Sequence, residues 1–437
     1  MKKVLVIGAA RSGIAVSKLL CKENYEVIIT DQNTIAKKAE LEKMGIKVFD
    51  GGHPESLKDE TYDFIVKNPG IPYHVPFVAY FVEKKVPIYT EIEVGYRLAP
   101  AFTYGAITGT NGKTTTVSML YEILKAHGSS YVAGNIGIPL SEVVLQHGNE
   151  KANIALELSN FQLLGIDTFK AKVSCVTNLT PDHLDYMDGV DAYYESKMRI
   201  FKNADPDAFF LRNLDDENVI KYAKDIPCRV LDYSLHQKAD IYIQDDIVYY
   251  HDIQLFDTKK LQVVGAHNIS NAMVASTMAY LMGVQPATIQ NVLTSFTGVE
   301  HRLEYVASKH DIRFFNDSKA TNPEAVVPAL EAFPKNIILL AGGYDKKLPF
   351  DILKTYDERV KMCFSFGQTK DAFKDIFTHN IACQTMEEAL RDAYTLAKPG
   401  DVILLSPACA SYDQFKSYEE RGELFKVYVH EMLGEEE

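Results

Sequence analysis

The segment ITGTNGKTTT contains residue types that bind phosphate at a spacing that suits them to it. Gly109 and Gly112 let the chain turn and present backbone N–H groups to phosphate oxygens. Lys113 supplies a positive charge for the β- and γ-phosphates, and the hydroxyl of Thr114 is suited to hold Mg²⁺. The following helix adds its positive N-terminal end. The segment therefore predicts a site for ATP and Mg²⁺.

The usual phosphate-loop pattern is G-x-x-x-x-G-K-[ST], and Ile107 occupies the position of its first glycine. The loop therefore belongs to a variant class. A glycine turn before an ordinary helix is the alternative, but strand, loop and helix follow in the order that an ATP site requires. The residues predicted to form this loop are Gly109, Thr110, Asn111, Gly112, Lys113, Thr114 and Thr115.

Two further segments place acids and a histidine at strand ends. Glu157 ends the strand ANIALE, and the segment TPDHLD, which contains His183, follows the strand VSCVTN. Carboxylate and imidazole at neighbouring strand ends could lie beside the Mg²⁺ held by Thr114. Lys197, in ESKMRIF, is by its residue type alone a lysine on the surface of a helix.

The N-terminal GAARSG, residues 8–13, departs from the dinucleotide pattern G-x-G-x-x-G because Ala10 replaces the middle glycine. Asp31 ends the next strand, where an acid that binds ribose would lie. A site for a nucleotide diphosphate without hydride chemistry is the favoured interpretation. A redox NAD site and a plain tight turn stay open as alternatives.

These residues depend on strands that alternate with helices, which predicts parallel sheets. We expect an α/β protein of three domains: a Rossmann-like domain over 1–90, a central domain over 91–297 and a Rossmann-like domain over 298–437. The central domain should hold a P-loop ATPase-like parallel sheet and, within 228–264, a small antiparallel β patch, because VYYHDIQLFD alternates. Polar strand ends should face clefts.

Composition excludes several classes of partner. The 437 residues carry 46 Lys and Arg against 59 Asp and Glu, a net charge of −13, and no basic tract. Nucleic acid and anionic membranes are therefore not expected as partners. The six cysteines form no C-x-x-C pair and are typical of reduced thiols in a cytosolic protein. No apolar run approaches the length of a membrane span.

Taken together, nine motifs resemble the Mur ligases, in the same order and over nearly the whole chain. They are TGTNGKTTT, GNIG, ELSNFQL, TPDHLD, ESKMRIF, GAHNISNA, EHRLE, NDSKATNP and SPACASYDQFKSYEERG. The C-terminal segment and the R-S-G form of the N-terminal loop favour the member that adds D-glutamate. The resemblance implies that ATP phosphorylates the alanyl carboxylate of UDP-MurNAc-L-Ala and that the amine of D-glutamate attacks the acyl phosphate. It also implies a cytoplasmic enzyme, for which we expect a monomer.

The resemblance implies roles for the residues of the central domain. Lys113 would bind the phosphates, Thr114 and Glu157 would hold one Mg²⁺, and His183 would help to place a second metal ion, with Mn²⁺ able to substitute. Lys197 matches a lysine that is carbamylated in the family, so as a carbamate it would ligate that metal. On the resemblance alone, we therefore expect Lys197 to be a metal ligand and not a surface lysine.

The same resemblance assigns residues to the substrates. Residues predicted for the UDP-sugar are Gly8, Arg11, Ser12, Gly13, Asp31, Gly70 and Asn135. Four residues outside the phosphate loop are also predicted to contact ATP. They are Asn268 and Asn271, which lie three apart on one helix, and Arg302 and Asp317. Residues predicted for D-glutamate are Lys319, Thr321, Lys346, Ser411 and Tyr418.

Alternatives remain at two of these positions and for the function. Arg302 could instead form an interdomain salt bridge. The segment GGYDKKLPF leaves Lys346 or Lys347 for the amino-acid site, and spacing favours Lys346. The competing functions are a folate polyglutamate ligase, an NAD-dependent dehydrogenase with an added NTPase-like domain, and a non-catalytic nucleotide-binding switch.

Overall fold

A computed structural model of the chain describes residues 1–181, 187 and 189–434. This part of the chain forms two compact units, one of residues 1–258 with 270–293 and the other of residues 259–269 with 294–437. The first unit contains two sheets and the second contains one. No helix in the described ranges combines the length and the apolar character that crossing a bilayer requires. The predicted domain boundaries at 90 and 297 stay a prediction.

The first sheet consists of five parallel strands in the order β3-β2-β1-β4-β5. Its strands are β1 (Lys3–Ile7), β2 (Glu26–Thr30), β3 (Lys47–Phe49), β4 (Phe64–Lys67) and β5 (Ile88–Tyr89). Its helices are α1 (Arg11–Lys22), α2 (Lys38–Lys43), α3 (Pro76–Glu83) and α4 (Glu91–Leu98). The β1 strand lies in the middle of the sheet, and its four apolar residues after Lys3 are fully buried, as KVLVI predicts for a parallel strand covered on both faces.

The second sheet has nine strands in the order β14-β13-β12-β11-β10-β9-β6-β8-β7. They are β6 (Phe102–Thr108), β7 (Ser130–Gly134), β8 (Ala152–Glu157), β9 (Val173–Val176), β10 (Phe209–Asn213), β11 (Arg229–Tyr233), β12 (Ile241–Gln244), β13 (Ile247–Tyr250) and β14 (Ile253–Asp257). The helices that follow them in the chain are α5 (Lys113–His127), α6 (Leu140–His147), α7 (Asn160–Leu163), α8 (Val190–Met198), α9 (Glu217–Tyr222), α10 (Ala266–Leu281) and α11 (Pro286–Ser295).

The antiparallel patch is present but narrower than the 228–264 that the sequence suggested. Only β12, β13 and β14 pair antiparallel, whereas β11 continues the parallel sheet beside β10. Composition does not separate β11 from the hairpin strands, because all four strands are rich in β-branched and aromatic residues. The prediction of a parallel sheet with a small antiparallel patch is confirmed, and its bounds were wrong by about a dozen residues at the N-terminal side.

The third sheet has the order β15-β16-β20-β17-β18-β19 and lies in the second unit. Its strands are β15 (Glu304–Lys309), β16 (Ile312–Asn316), β17 (Ile337–Gly342), β18 (Val360–Phe366), β19 (Asn380–Ala382) and β20 (Val402–Leu405), and its helices are α12 (Pro323–Glu331), α13 (Met386–Leu396) and α14 (Tyr418–Leu433). Only β15 and β16 pair antiparallel. Apolar residues on both faces of β17 and β20 form its core.

Helix α4 joins the first two sheets and is held by a buried carboxylate. Glu93 is fully buried and accepts hydrogen bonds from the backbone N–H groups of Asp167, Thr168 and Phe169, and Arg97 donates to it at 2.6 Å. Burial alone would raise the pKa of Glu93, but the hydrogen bonds from Thr168, Asp167 and Arg97 together lower it below the ordinary value. Glu93 therefore stays ionised and fixes α4 against the second sheet.

Removing this carboxylate should destabilise the first unit. Because Glu93→Ala leaves buried donors without an acceptor, we expect a loss of about 3–5 kcal/mol in the free energy of unfolding at neutral pH. The lowered pKa means that this stabilisation is present above the unfolded-state pKa and is lost as the pH falls through the folded-state pKa. Urea unfolding at neutral and acid pH should therefore show the difference from wild type shrinking in acid. Glu83→Ala, on the exposed end of α3, is the matched control. Equal stability of the two variants would contradict this role.

Candidate active site

The path of the phosphate loop depends on two glycines, and each of them packs closely against another part of the first unit. Gly109 follows β6 with φ +141°, and a Cβ placed on it would lie 2.0 Å from Thr177 Oγ1. Gly112 caps α5 with φ +79°, and a Cβ there would lie 2.5 Å from Asn271 Oδ1. Because an added methyl group has no space at either position, the loop can hold this path only with glycine.

The segment after β9 clamps the loop through hydrogen bonds. Asn178 accepts from the N–H of Asn111 at 2.9 Å through its side chain and from the N–H of Thr110 at 3.0 Å through its carbonyl. The hydroxyl of Thr177 donates to Asn111 O at 2.6 Å. The hydroxyl of Thr110 donates to Thr180 O at 3.0 Å. The path of the loop is therefore set by side chains about seventy residues away.

Two lysine side chains converge on one carbonyl oxygen of the loop. Lys113 Nζ donates to Gly109 O at 2.9 Å and to Thr110 O at 2.7 Å. Lys197, only 2% exposed, donates to the same Gly109 O at 2.8 Å. Its ammonium also lies 4.6 Å from the ring centroid of Tyr193. The structure thus brings Lys197 to the phosphate loop, and it is not the surface lysine that its residue type suggested.

Glu157 lies at the same edge of the sheet as the phosphate loop. It ends β8, where it pairs in register with Ile107 of β6 and with Gly134 of β7. Asn135 Nδ2 donates to Glu157 Oε1 at 2.7 Å, whereas Glu157 Oε2 is buried without a hydrogen-bond partner among the described residues. A buried carboxylate oxygen of this kind is suited to a hard divalent cation.

The structure describes the positions of four other residues predicted for the ATP and metal sites, but not that of His183. Thr114 and Thr115 lie in the first turn of α5. Asn271 contacts the start of α5, since Thr116 Oγ1 donates to Asn271 Oδ1 at 3.1 Å. Asn268 is also buried, and its side chain donates to Val264 O at 2.8 Å. His183 lies outside the described residues.

The N-terminal glycine turn is closed by Asp31. Asp31 Oδ2 accepts from the N–H of Ala9 at 2.6 Å, and Oδ1 accepts from the N–H of Asn33 at 2.8 Å. Gly8 has φ +97°, and a Cβ on Gly13 would lie 1.9 Å from Gly8 O. Gly8 and Gly13 therefore pack too closely for a side chain on Gly13.

A cleft of about 350 Å³ brings together residues from both sheets of the first unit. Arg11 Nη1 donates to Gly137 O at 2.7 Å across this cleft, and Arg11 Nε lies 3.6 Å from Glu142. Four of the residues predicted for the UDP-sugar line it, namely Arg11, Ser12, Gly70 and Asn135. The cleft is large enough and polar enough for part of a nucleotide-sugar.

In the second unit, Asp317 is a buried carboxyl group with a perturbed pKa. Ser406 Oγ donates to its Oδ2 at 2.6 Å, and the N–H of Leu303 donates to its Oδ1 at 3.1 Å. Burial raises the pKa of Asp317 to about 7, although these hydrogen bonds and the nearby charge of Arg302 oppose the rise. Arg302 itself is exposed.

The residues predicted for an amino acid also belong to the second unit. Lys346 Nζ donates to Thr321 O at 3.2 Å, so these two lie together. The ammonium of Lys319 lies 5.9 Å from the ring centroid of Tyr418. Ser411 is 2% exposed. Lys347 Nζ instead donates to Asp345 at 2.6 Å, which favours Lys346 as the lysine available to a ligand.

The sequence analysis did not identify several residues whose hydrogen bonds fix the backbone at these candidate sites. Thr177 and Asn178 follow β9, and their polar types at a strand end were a signal that could have been used. Arg421 is fully buried and donates to Ser318 O at 2.8 Å and Cys409 O at 3.1 Å. Its contact with Ser318 spans 103 positions of sequence, so no local pattern predicts it.

Comparison with families of known proteins gives two matches. Residues 107–279 match the family described as Mur ligase middle domain. Residues 301–409 match the family described as Mur ligase, glutamate ligase domain.

Individual relatives match over the full length. A UDP-N-acetylmuramoylalanine–D-glutamate ligase of Geobacillus sp. (strain WCH70) is 42% identical, over 99% of this chain and 98% of the relative. The protein of the same name from Listeria monocytogenes serotype 4b is 38% identical, over 100% of this chain and 98% of the relative. Among solved structures, a UDP-N-acetylmuramate-alanine ligase from Thermotoga maritima has a TM-score of 0.56 at 19% identity and 99% coverage of both chains. At that identity the likeness concerns the fold.

Substitution at Gly109 should weaken nucleotide binding. In Gly109→Ala the new Cβ meets Thr177 Oγ1 and the positive φ becomes unfavourable, so we expect about 1–3 kcal/mol of strain and roughly tenfold or greater weakening of ATP affinity in calorimetry. Gly128→Ala, at the other end of α5 with φ 170° and no atom within 4 Å, should bind like wild type. Adding Thr177→Ala should recover part of the loss. Unchanged affinity in Gly109→Ala would show that the loop path is not required.

Proposed function

This chain belongs to the Mur ligase family, and from that membership we propose that it is an ATP-dependent ligase that joins D-glutamate to UDP-MurNAc-L-Ala in peptidoglycan precursor synthesis. The observation that carries the proposal is the full-length identity of 42% with a ligase of that name. The phosphate loop, with Glu157 at the same sheet edge, supplies the site for ATP. A cytoplasmic monomer is the form that we expect.

The reaction needs an activated carboxylate. A carboxylate is a poor electrophile, so the γ-phosphoryl group of ATP is transferred to the alanyl carboxylate, giving an acyl phosphate and ADP. The amine of D-glutamate then attacks the acyl carbon, and phosphate leaves as the amide forms. The protein must neutralise phosphate charge and align three substrates.

The phosphate loop performs the first part of this task. Backbone N–H groups of the loop and the N-terminal end of α5 are available for phosphate oxygens. Lys113 already lies over the loop, where its ammonium contacts the carbonyls of Gly109 and Thr110. With ATP bound, it would exchange these carbonyls for the β- and γ-phosphates. Its role is to stabilise the negative charge on the transferred group.

The residues present fit Mg²⁺, which the family uses with ATP. Glu157 offers a buried oxygen without a partner among the described residues, and Thr114 offers a hydroxyl in the first turn of α5. Hydroxyl, carboxylate and phosphate oxygens are the ligands that Mg²⁺ prefers. Bound there, Mg²⁺ would neutralise phosphate charge. His183 is proposed for a second metal ion.

We propose that Lys197 is carbamylated in the active enzyme. As an amine it places a second ammonium on the carbonyl oxygen that Lys113 already contacts, so two positive charges lie within about 6 Å of each other in a buried site. Carbamylation converts this like-charge pair into an attraction. It also gives a carboxylate-like group that can ligate the second metal ion.

We assign the UDP-sugar to residues of the first unit and D-glutamate to residues of the second unit. We propose that the cleft lined by Arg11, Ser12, Gly70 and Asn135 binds the UDP-sugar, with the turn of residues 8–13 and Asp31. D-Glutamate is assigned to the second unit. Its two carboxylates need cations and hydroxyl or backbone donors, which its candidate residues supply: Lys319, Thr321, Lys346, Ser411 and Tyr418. Asn268, Asn271, Arg302 and Asp317 are proposed to contact ATP.

Phosphate release should depend on the amino acid. Purified protein with Mg-ATP and UDP-MurNAc-L-Ala should release phosphate with D-glutamate and not with L-glutamate, L-alanine or meso-diaminopimelate. Lys113→Ala should abolish release because the transferred phosphoryl group loses its cation, whereas Lys125→Ala, on an exposed part of the same helix, should retain it. Release with a different amino acid would assign the chain to another step. Release without any amino acid would indicate a nucleotide switch.

The carbamate can be tested by chemical rescue. Lys197→Ala should be nearly inactive in the same phosphate assay and should regain turnover with a small added carboxylate, which replaces the missing anion. The wild-type protein should show no such stimulation. Lys202→Ala, nearby on an exposed position, is the control. Activity of Lys197→Ala at the wild-type level would refute the carbamate role.

A further inference from the structure

Glu91 is a buried carboxyl group in the wall of the nucleotide-sugar cleft, and none of the roles above uses it. It is the first residue of α4 and is 1% exposed. It lines the cleft of about 350 Å³ together with Ser12, Gly70 and Asn135. A buried acid in such a place needs an explanation, because a carboxylate there would lie beside the negative diphosphate of the substrate.

The two oxygens of Glu91 have different surroundings. Oε2 accepts from the backbone N–H of Ser141 at 2.9 Å and from the hydroxyl of the same residue. Oε1 is buried and has no hydrogen-bond partner among the described residues. Because Oε2 is committed as an acceptor, a proton on this carboxyl group would reside on Oε1. The oxygen without a partner would then be a donor.

The neutral form of Glu91 is favoured by its surroundings. Burial raises its pKa above the ordinary value, although the hydroxyl of Ser141 and the N–H groups of Ser141 and Leu140 oppose the rise. Among the described residues, the causes of this shift are burial and these hydrogen bonds, and none is a charged side chain. The ionisable groups nearby are Tyr104, whose own raised pKa partly reflects the charge of Glu91, and Arg11 with Glu142 at the cleft.

We propose that Glu91 binds the nucleotide-sugar as a neutral carboxylic acid, whose Oε1–H donates a hydrogen bond to an oxygen of the substrate diphosphate after a small shift of the cleft wall opens this buried oxygen to the ligand. The proposal rests on the proposed function, which supplies the nucleotide-sugar for this cleft. A neutral acid donates to an anionic oxygen without adding a like charge. Glu91 also links the start of α4 to the start of α6 through Ser141.

Glutamine reproduces the neutral acid, and this gives a sharp test. In Glu91→Gln the amide oxygen can accept from Ser141 and the amide nitrogen can donate where Oε1–H did. Calorimetric titration with UDP-MurNAc-L-Ala should give a dissociation constant within about threefold of wild type near pH 6. Wild-type binding should weaken as the pH rises through the pKa of Glu91, and Glu91→Gln should stay flat to about pH 9. Other titrating groups are common to both proteins, so the ratio of the two constants isolates Glu91.

Two further variants separate binding from folding. Compared with Glu91→Gln, Glu91→Leu should bind about tenfold or more weakly at every pH, because the diphosphate loses a donor. Ser141→Ala removes a hydrogen bond that lowers the pKa of Glu91, so the pH at which binding weakens should move upward. Melting temperatures of all variants are measured alongside, since Ser141 and Glu91 are both buried.

The outcomes discriminate between the two proposals. Tenfold weaker binding by Glu91→Gln near pH 6 would mean that the charged carboxylate is needed and would overturn the inference. Equal binding by Glu91→Leu and Glu91→Gln, or no upward shift in Ser141→Ala, would also overturn it. Binding of UDP-MurNAc-L-Ala with the expected pH profiles, but without phosphate release in the ligase assay, would support Glu91 and refute the ligase. Absence of binding by the wild type would refute both.

Discussion

The close approach of Gly109 to Thr177 is the constraint on which the active site depends. The carboxyl ends of β6 and β9 are so near that a single methyl group on Gly109 would overlap the threonine hydroxyl. This approach lets Thr177 and Asn178 bind the backbone of the phosphate loop, and the loop in turn fixes where α5 begins. The ends of neighbouring parallel strands thus form one polar edge that carries the loop, Glu157 and Asn135.

The electrostatic potential at this edge is determined by the groups closest to it and not by the net charge of the chain. The chain carries a net charge of −13, yet its proposed phosphate site offers backbone N–H groups, a helix terminus, the buried Lys197 and the half-buried Lys113. Because both ammonium groups contact the carbonyl oxygen of Gly109, positive charge is concentrated at this loop. In such a site the protonation or modification of a single buried group changes the balance of charge, which makes Lys197 and Glu91 informative positions.

The features that the sequence could predict are those with local signals. The phosphate loop was predictable because strand, loop and helix are contiguous, and Glu157 because parallel strands carry functional residues at their carboxyl ends. The antiparallel patch was predictable as a region, although its extent was not, since β11 resembles the hairpin strands in composition but pairs parallel with β10. The assignments of individual residues to ligands remain predictions.

What the sequence could not give are contacts set by topology. Glu91 meets Ser141 across fifty positions, and Arg421 meets Ser318 across more than a hundred. Nothing near Glu91 in sequence marks it as different from Glu93, two residues along the same helix. One is held by many donors and kept ionised, whereas the other has an oxygen without a partner among the described residues. They differ only in their packing, because Glu91 contacts the start of α6 and Glu93 contacts the loop of residues 167–169.

The strand order of the third sheet has a consequence for how the protein is made. Its central strand, β20 at Val402–Leu405, inserts between β16 and β17, which precede it by more than sixty residues. During synthesis those two strands leave the ribosome with open edges facing each other, and the gap closes only when almost the entire chain is complete. Until then the exposed edges can pair with other chains. A nascent or truncated chain that stops short of β20 would therefore be a target for chaperones and proteases rather than a partly active enzyme.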